Sequence, residues 1–263
     1  MRLGINYEIE KLPIDFRGSF VSLTKKAIEI NDADLFVNLY NIEKRFTKPF
    51  CFSVYLGKYS LNDGFIHPEG SIKLNLSMLN FFDGDSRDNR ITLALFNGLR
   101  ATELKKFPFP AGQDLKRLHV NIVPERSLDD FAKGFVGFKT MSPILLTNGQ
   151  KNGARPVLHP ATEDLSRGRR DIAIYDEDVF RASIDMSLKG HIKGSVVFEP
   201  GRLHTQVIHH TIGDHMRSLG RPQKMICFSG SFKLRGLPED LYRIYQTGIG
   251  FKRNQGFGML EVS

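Results

Sequence analysis

The segment best suited to chemistry lies near the C-terminal end of the sequence, where residues 246–258 read QTGIGFKRNQGFG. Its four glycines and two cations are Gly248, Gly250, Gly256, Gly258, Lys252 and Arg253. Glycine lets backbone amides approach an anion with no side chain in the way, and the two cations add favourable charge. The sequence therefore predicts a loop that binds phosphate groups.

Two other interpretations of these glycines exist. A dinucleotide-binding turn also has closely spaced glycines, but it follows a strand and opens a helix. Here the order is reversed, because a helix is expected at 238–245 and a strand, GMLEV, at 258–262. That motif is therefore excluded. The remaining alternative is a glycine-rich turn that only lets the last strand pack.

Histidines and cysteines are the residues to consider for a metal site. The sequence contains no HExxH and no CxxC motif, so its four histidines between 204 and 215 lack the spacing of a zinc site. His204 and His210 would share one face of a strand, with His209 on the other. The two cysteines, 51 and 227, lie in apolar runs and are expected in the core rather than in a disulfide. We therefore expect neither a metal nor a cofactor.

Composition and charge point to a globular protein with an acidic partner. The 263 residues are 41% apolar, which is enough for a buried core. Lys and Arg outnumber Asp and Glu by 37 to 29, a net charge of +8, which suits nucleic acid. The sequence has no apolar run of about 18 residues and no signal-peptide pattern, so a cytoplasmic location is expected.

The basic run SRGRRD contains Arg167, Arg169 and Arg170. It is either a flexible charged loop or an arm that contacts an RNA backbone. Under the second interpretation, Arg169 and Arg170 join the residues expected to bind RNA.

The first half of the chain shows alternating strand and helix patterns. The expected elements are strand 2–10, helices from Gly18 and over 32–39, strands 49–57 and 71–79, a helix over 89–99 and a strand at 117–124. Strands 49–57 and 71–79 are expected to pair. Strand, helix, strand, strand, helix, strand is the split βαβ order of a ferredoxin-like domain.

The pattern begins again after Pro124. The expected elements are a strand at 134–147 that bends near Ser142, helical structure over 161–188, strands 194–200, 203–211 and 224–236, helix 238–245 and strand 258–262. We therefore predict an α+β chain of two tandem ferredoxin-like (RRM-like, βαββαβ) domains. The predicted division is 1–120 for the N-terminal domain and 121–263 for the C-terminal domain with its glycine-rich loop.

Four segments together resemble a known family. They are GIGFKRNQGFGMLEV at 248–262, KPFCFS at 48–53, FKTMSPILL at 138–146 and FSGSFKLRG at 228–236. The sequence is similar in these segments to the CRISPR-associated endoribonucleases that process precursor CRISPR RNA, in the repeat-associated mysterious protein (RAMP) superfamily. The resemblance implies two ferredoxin-like folds with a basic cleft between them.

The resemblance also implies a reaction. In this family the 2′-hydroxyl beside the scissile phosphate attacks in line without a metal, leaving a 2′,3′-cyclic phosphate and a 5′-hydroxyl. A base, a cation that stabilises the phosphorane and an acid are required. The expected partner is CRISPR repeat RNA, with CRISPR effector complex proteins as further partners and a monomer or homodimer as the active form.

Three residues are expected to be catalytic by this resemblance. Many members carry a histidine at the end of the second helix, and this sequence has Tyr40 there. Members that lack the histidine rely on lysines, which match Lys25 and Lys48 here. Lys44 and Arg45 would lower a neighbouring lysine pKa.

The missing histidine leaves alternatives open. His67, in FIHPEG, could be a displaced catalytic histidine. A catalytically inactive RNA-binding RAMP subunit of an effector complex is the second functional hypothesis. A metal-dependent nuclease is the third, and it would use Asp83, Asp85 and Asp88.

Overall fold

Two antiparallel sheets, each with its own apolar core, organise the chain in the computed structural model. The structure describes residues 1–40, 48–79, 86–149, 154–163, 172–210 and 223–263.

The first sheet uses strands from the N-terminal half of the chain. Its strands are β1 (Arg2–Glu8), β3 (Phe50–Tyr55), β6 (Ile72–Met78), β7 (Lys106–Phe109) and β8 (Gln113–Val123). The helices of this half are α1 (Arg17–Asn31), α2 (Ala33–Tyr40) and α3 (Ser86–Arg100). The strand order is β3-β6-β1-β8-β7, so the four strands that alternate with α1 and α3 have the spatial order of a ferredoxin-like fold.

The second sheet repeats this arrangement. Its strands are β9 (Phe135–Thr140), β10 (Val197–His210), β11 (Gln223–Arg235) and β12 (Leu260–Val262), and the helices are α4 (Glu177–Leu188) and α5 (Pro238–Thr247). The order β10-β11-β9-β12 is again ferredoxin-like. The predicted fold class, two tandem ferredoxin-like folds, is therefore confirmed.

Close helix packing fixes the position of α1. The alternating residues Leu3, Ile5 and Tyr7 are buried beneath the helices. Where α3 crosses α1, a Cβ on Gly98 would lie 1.9 Å from the carbonyl oxygen of Ala27. Only glycine allows this approach, so α1 and α3 pack closely side by side.

Three details differ from the sequence prediction. The predicted strands 194–200 and 203–211 are one long strand, β10, because its register against β11 shifts between Pro200 and Leu203 rather than ending there. Of the helical structure predicted over 161–188, residues 164–171 lie outside the described part of the chain, and α4 begins at Glu177, where the Asp176 side chain accepts a hydrogen bond from the Val179 amide. The strand predicted over 134–147 ends at Thr140.

Two strands of a small sheet lie in sequence between β3 and β6, the strands that were predicted to pair. It has the order β2-β5-β4 and consists of β2 (Leu12–Pro13), β4 (Tyr59–Asn62) and β5 (Phe65–Pro68). The pairing of β3 with β6 is nevertheless present, with Phe52 opposite Leu76. The domain division at 120/121 stays a prediction, and β8 continues to Val123.

Asp32 connects the three helices of the first half. Its Oδ1 accepts from the Leu35 amide at 2.9 Å, which caps α2, and its Oδ2 lies 2.7 Å from Nη2 of Arg90 on α3. The Leu35 amide, and secondarily Arg90, hold the pKa of Asp32 below its usual value.

Replacing Asp32 with alanine is expected to lower the free energy of unfolding by about 1 kcal/mol. Because the folded-state pKa is depressed, this contribution is present at neutral pH and is lost as the pH falls below about 4. Urea unfolding at pH 7 measures it. Asp34→Ala, an exposed change in the same helical turn, should cost only about 0.3 kcal/mol, and equal losses for the two variants would contradict the capping role.

Polar contacts of one buried arginine, Arg2 of β1, join the two sheets. Arg2 is 3% exposed. Its Nη1 lies 2.6 Å from Glu261, and its Nη2 donates to the carbonyl oxygens of Leu260 at 2.6 Å and Tyr245 at 3.0 Å. The guanidinium also lies 3.8 Å from the centre of the Tyr245 ring. The first strand of the chain is thereby fixed to its last.

Within the described ranges, no helix is long and apolar enough to cross a membrane.

Candidate functional site

The structure brings Lys25, Tyr40 and Lys48 together. Lys25 lies in α1, Tyr40 is the last residue of α2, and Lys48 precedes β3. The ammonium of Lys25 lies 4.8 Å from the centre of the Tyr40 ring, and that of Lys48 lies 4.6 Å from it. Three separate elements therefore form one cluster, which we call the Lys–Tyr cluster.

Burial and charge shift two of the pKa values in this cluster. Partial burial lowers the pKa of Lys48, and the positive charge of Lys25 lowers it further. Burial raises the pKa of Tyr40. At neutral pH the phenol therefore keeps its proton, and Lys48 forms the neutral amine more readily than an ordinary lysine does.

These properties fit separate tasks on a phosphodiester. A protonated phenol can donate a hydrogen bond or a proton but cannot act as a base. An amine with a lowered pKa can accept a proton. An ammonium beside it stabilises negative charge that develops on phosphate oxygens. The Lys–Tyr cluster thus contains candidates for an acid, a base and an electrostatic stabiliser.

The other candidates of the N-terminal half lie elsewhere. His67 is on β5 of the small sheet, opposite Ser60, and not on the elements that carry the Lys–Tyr cluster. Lys44 and Arg45 lie outside the described residues. Asp88 lies on α3, 3.5 Å from Arg243, whereas Asp83 and Asp85 also lie outside the described residues. In the described part of the chain, no group of three His, Cys, Asp or Glu side chains could hold a metal ion.

The four glycines of 246–258 all have positive φ, between 68° and 87°. Three of their amides already donate to the backbone: Gly248 to Ile244 at 2.7 Å, Gly256 to Arg253 at 3.3 Å and Gly258 to Pro143 at 2.8 Å. The predicted phosphate cradle of glycine amides is therefore not formed by these three groups, because their hydrogen bonds are used inside the protein. Their positive φ angles and inward hydrogen bonds favour the alternative of a packing turn.

The packing turn lies against the first domain as well as its own. A Cβ on Gly258 would lie 1.8 Å from the carbonyl oxygen of Ile249, and one on Gly256 would lie 2.8 Å from the ring of Phe52. The carbonyl oxygen of Gly256 accepts from Nε of Arg17 at 3.4 Å. The glycines thus allow the turn to fit against β3 and α1.

The two cations of the turn point in different directions. Arg253 is 4% exposed; its Nη1 donates to the carbonyl oxygen of Gly248 at 3.1 Å, and its Nη2 contacts Nε2 of His191. Burial, together with the charge of Arg253, lowers the pKa of His191 to about 3, so the ring is a neutral acceptor. The predicted RNA contact of Arg253 does not fit this inward position. Lys252 is exposed and remains a candidate.

The sequence assigns His210 only to one face of a strand, whereas the structure places it against Gln255 and Phe257 of the glycine-rich turn. His210 is 1% exposed, and its Nε2 lies 3.1 Å from Oε1 of Gln255. Burial lowers its pKa to about 4, and the charges of Lys252 and Arg17 lower it further, whereas the hydrogen bond that the ring donates to Gln255 raises it. Residue spacing gives no signal for this group, because β10, α1 and the turn meet only in the folded chain. Arg169 and Arg170 lie outside the described residues.

Known proteins resemble this chain in sequence family and in fold. A family model described as CRISPR associated protein Cas6, C-terminal, matches residues 124–262. A comparison with curated protein sequences gives no match.

Among solved structures, a Cas6-related protein from Pyrococcus furiosus is 14% identical with a TM-score of 0.66, covering 100% of this chain and 99% of its own. A RAMP protein that binds different RNA substrates is 16% identical with a TM-score of 0.64 and the same coverage. A Cas6 from Thermus thermophilus, solved as a product complex, is 16% identical with a TM-score of 0.57, again with that coverage. At such identities these structures show a shared fold. Because the family model covers more than half of the sequence, including the whole glycine-rich turn, the chain belongs to the Cas6 family of CRISPR-associated proteins.

Proposed function

We propose that this protein is a metal-independent endoribonuclease that binds CRISPR repeat RNA and cleaves precursor crRNA. The 2′-hydroxyl beside the scissile phosphate attacks that phosphate, and the products carry a 2′,3′-cyclic phosphate and a 5′-hydroxyl. The observation that carries the proposal is the Lys–Tyr cluster, in which Lys25 and Lys48 lie 4.8 and 4.6 Å from the ring of Tyr40. Family membership supports the choice of substrate.

Each residue of the cluster has a role in this proposal. Lys48, with its lowered pKa, accepts the proton of the 2′-hydroxyl. Tyr40, whose raised pKa keeps it protonated, donates to the leaving 5′ oxygen. Lys25 stabilises the charge on the phosphorane. Lys252 contacts the RNA backbone from the second domain, and Arg169 and Arg170 stay predicted contacts of the same kind.

A second function is favoured by one observation. Tyr40 occupies the position expected for a histidine, and its pKa is raised rather than close to 7. An RNA-binding subunit without catalytic activity, part of a CRISPR effector complex, would tolerate this change.

One experiment separates these functions. We expect purified protein to cleave repeat RNA in the presence of EDTA and to leave a cyclic-phosphate end, since the proposed chemistry uses side chains alone. Gel electrophoresis with end-group analysis measures this. Tight binding without cleavage would support the inactive subunit, and cleavage only with added Mg²⁺ would support a metal-dependent nuclease.

A further inference from the structure

A groove opens directly beside the Lys–Tyr cluster. It has a volume of about 430 Å³ and lies between α1, Phe36 of α2 and residues 103–108, the last three of which belong to β7. Two of its lining residues also touch Tyr40: Lys25 through its ammonium, and Phe36 through its ring, whose centre lies 5.0 Å from that of Tyr40. A molecule in the groove would therefore lie next to a phosphate held at the cluster.

The lining of the groove combines flat apolar surface with charge. Phe36 and Phe107 are half-buried, so part of each ring faces solvent. Lys26 and Lys106 have exposed side chains, paired with Glu29 at 3.0 Å and with Asp114 at 2.6 Å, respectively. Lys25 adds a further ammonium at the Tyr40 end of the groove. Aromatic faces bordered by cations suit a nucleotide, because the base stacks on a ring and the phosphates meet positive charge.

We propose that this groove holds the unpaired base of a nucleotide that flanks the scissile phosphate. The inference rests on the proposed function, since it names a subsite of the same RNA. In-line attack requires the 2′-hydroxyl, the phosphorus and the leaving oxygen to align, and a stacked A-form helix does not supply that alignment. A pocket that receives a base turned out of the stack holds the strand in the reactive shape.

Carboxylates in the groove give the subsite a preference among bases. Glu29 is bound to Lys26 at 3.0 Å, whereas Glu103 is exposed along the groove edge. An ionised carboxylate only accepts hydrogen bonds. It therefore favours the exocyclic amino groups of adenine, cytosine and guanine over uracil, which carries none.

The test measures how RNA affinity depends on each base and on Phe107. The RNA is a repeat in which a 2′-deoxy substitution at the cleavage site prevents attack, with an abasic nucleotide introduced at each position in turn. Dissociation constants are measured for the wild-type protein, Phe107→Ala and Phe107→Leu. Val37→Ala is the control, because Val37 is a 65% exposed apolar residue beside Phe36 on α2. Circular dichroism checks that each variant is folded, and Phe107→Leu keeps apolar bulk if the alanine variant unfolds.

We expect one abasic position to weaken binding to the wild-type protein by about tenfold or more. In both Phe107 variants the same abasic nucleotide should reduce RNA affinity little further. Removing the ring and removing the base abolish the same stacking interaction, so the second change has nothing left to remove. Val37→Ala should match the wild type, and Glu103→Gln should reduce the penalty for uracil at that position.

Two results would overturn the inference. One is that the affinity loss from the Phe107 substitution and the loss from an abasic nucleotide add independently at every position. This would show that Phe107 stabilises the fold and does not contact a base. Unchanged affinities in the Phe107 variants would show that the groove takes another occupant, such as an apolar segment of a protein. In either case cleavage of unmodified repeat RNA in EDTA would still stand, so the proposed function is judged separately.

Discussion

Replacing Lys48 with alanine is expected to lower the single-turnover rate of repeat RNA cleavage by about 10²- to 10⁴-fold, the usual range for loss of a proton-transfer group. RNA affinity should fall much less, because one phosphate contact among many is lost. Lys48→Arg should restore affinity but not the rate, since a guanidinium keeps the charge and does not release its proton at ordinary pH.

The pH dependence follows from the lowered pKa of Lys48. The neutral amine is the reactive form, so the rate should rise with pH until it reaches that pKa, and this rise should disappear in Lys48→Arg. Lys11→Ala is the matched control, because the ammonium of Lys11 lies 5.0 Å from the ring of Phe65, a similar contact made to the small sheet rather than to Tyr40. A rate for Lys48→Arg equal to the wild type would assign Lys48 a purely electrostatic role.

Replacing Gly258 with alanine is expected to lower the free energy of unfolding by about 3 kcal/mol or more. Two costs combine. The residue has φ +68°, which an L side chain adopts with strain, and the new Cβ would lie 1.8 Å from the carbonyl oxygen of Ile249. The two ends of the turn, at Ile249 and Gly258, must then move apart and displace Lys252 between them, so RNA affinity should fall in parallel. Urea unfolding and a binding titration measure the two effects.

Gly57→Ala separates these costs. Gly57 has φ +65°, but a Cβ there would meet nothing within 4 Å. This variant should lose only about 1 kcal/mol, the strain of positive φ alone. If Gly258→Ala were no more harmful than Gly57→Ala, the close fit of the glycine-rich turn would not matter for stability.

The order of elements was predictable because periodicity reports which faces are buried. Leu3, Ile5 and Tyr7 alternate as strand residues, and all three lie in the core. The hydrophobic pattern gave a wrong strand end at a place where the strand continues through an irregularity. The Pro200 and Gly201 pair looked like a strand end, yet the partner strand β11 carries β10 through a register shift.

The site was less predictable, because it depends on the directions in which side chains and backbone amides point, and residue type does not show these. Residue types correctly marked 246–258 as a segment that needs glycine, but not that the amides of Gly248 and Gly258 donate inward. Arg253 and Lys252 are neighbours of the same charge, and residue type does not show that the first is buried and the second exposed. Arg17 and His210 are distant in sequence, and both lie against the ring of Phe257, at 5.6 and 5.2 Å from its centre.

The buried Arg2 has a consequence for biosynthesis. Its partners are the carbonyl oxygens of Tyr245 and Leu260 and the carboxylate of Glu261, more than 240 positions later in the chain. A ribosome makes residue 2 early, but most native partners of its guanidinium are made only when translation reaches residues 245–261. The N-terminal half therefore completes its native contacts only after synthesis has passed residue 261, and a truncated nascent chain should remain open to chaperones and proteases.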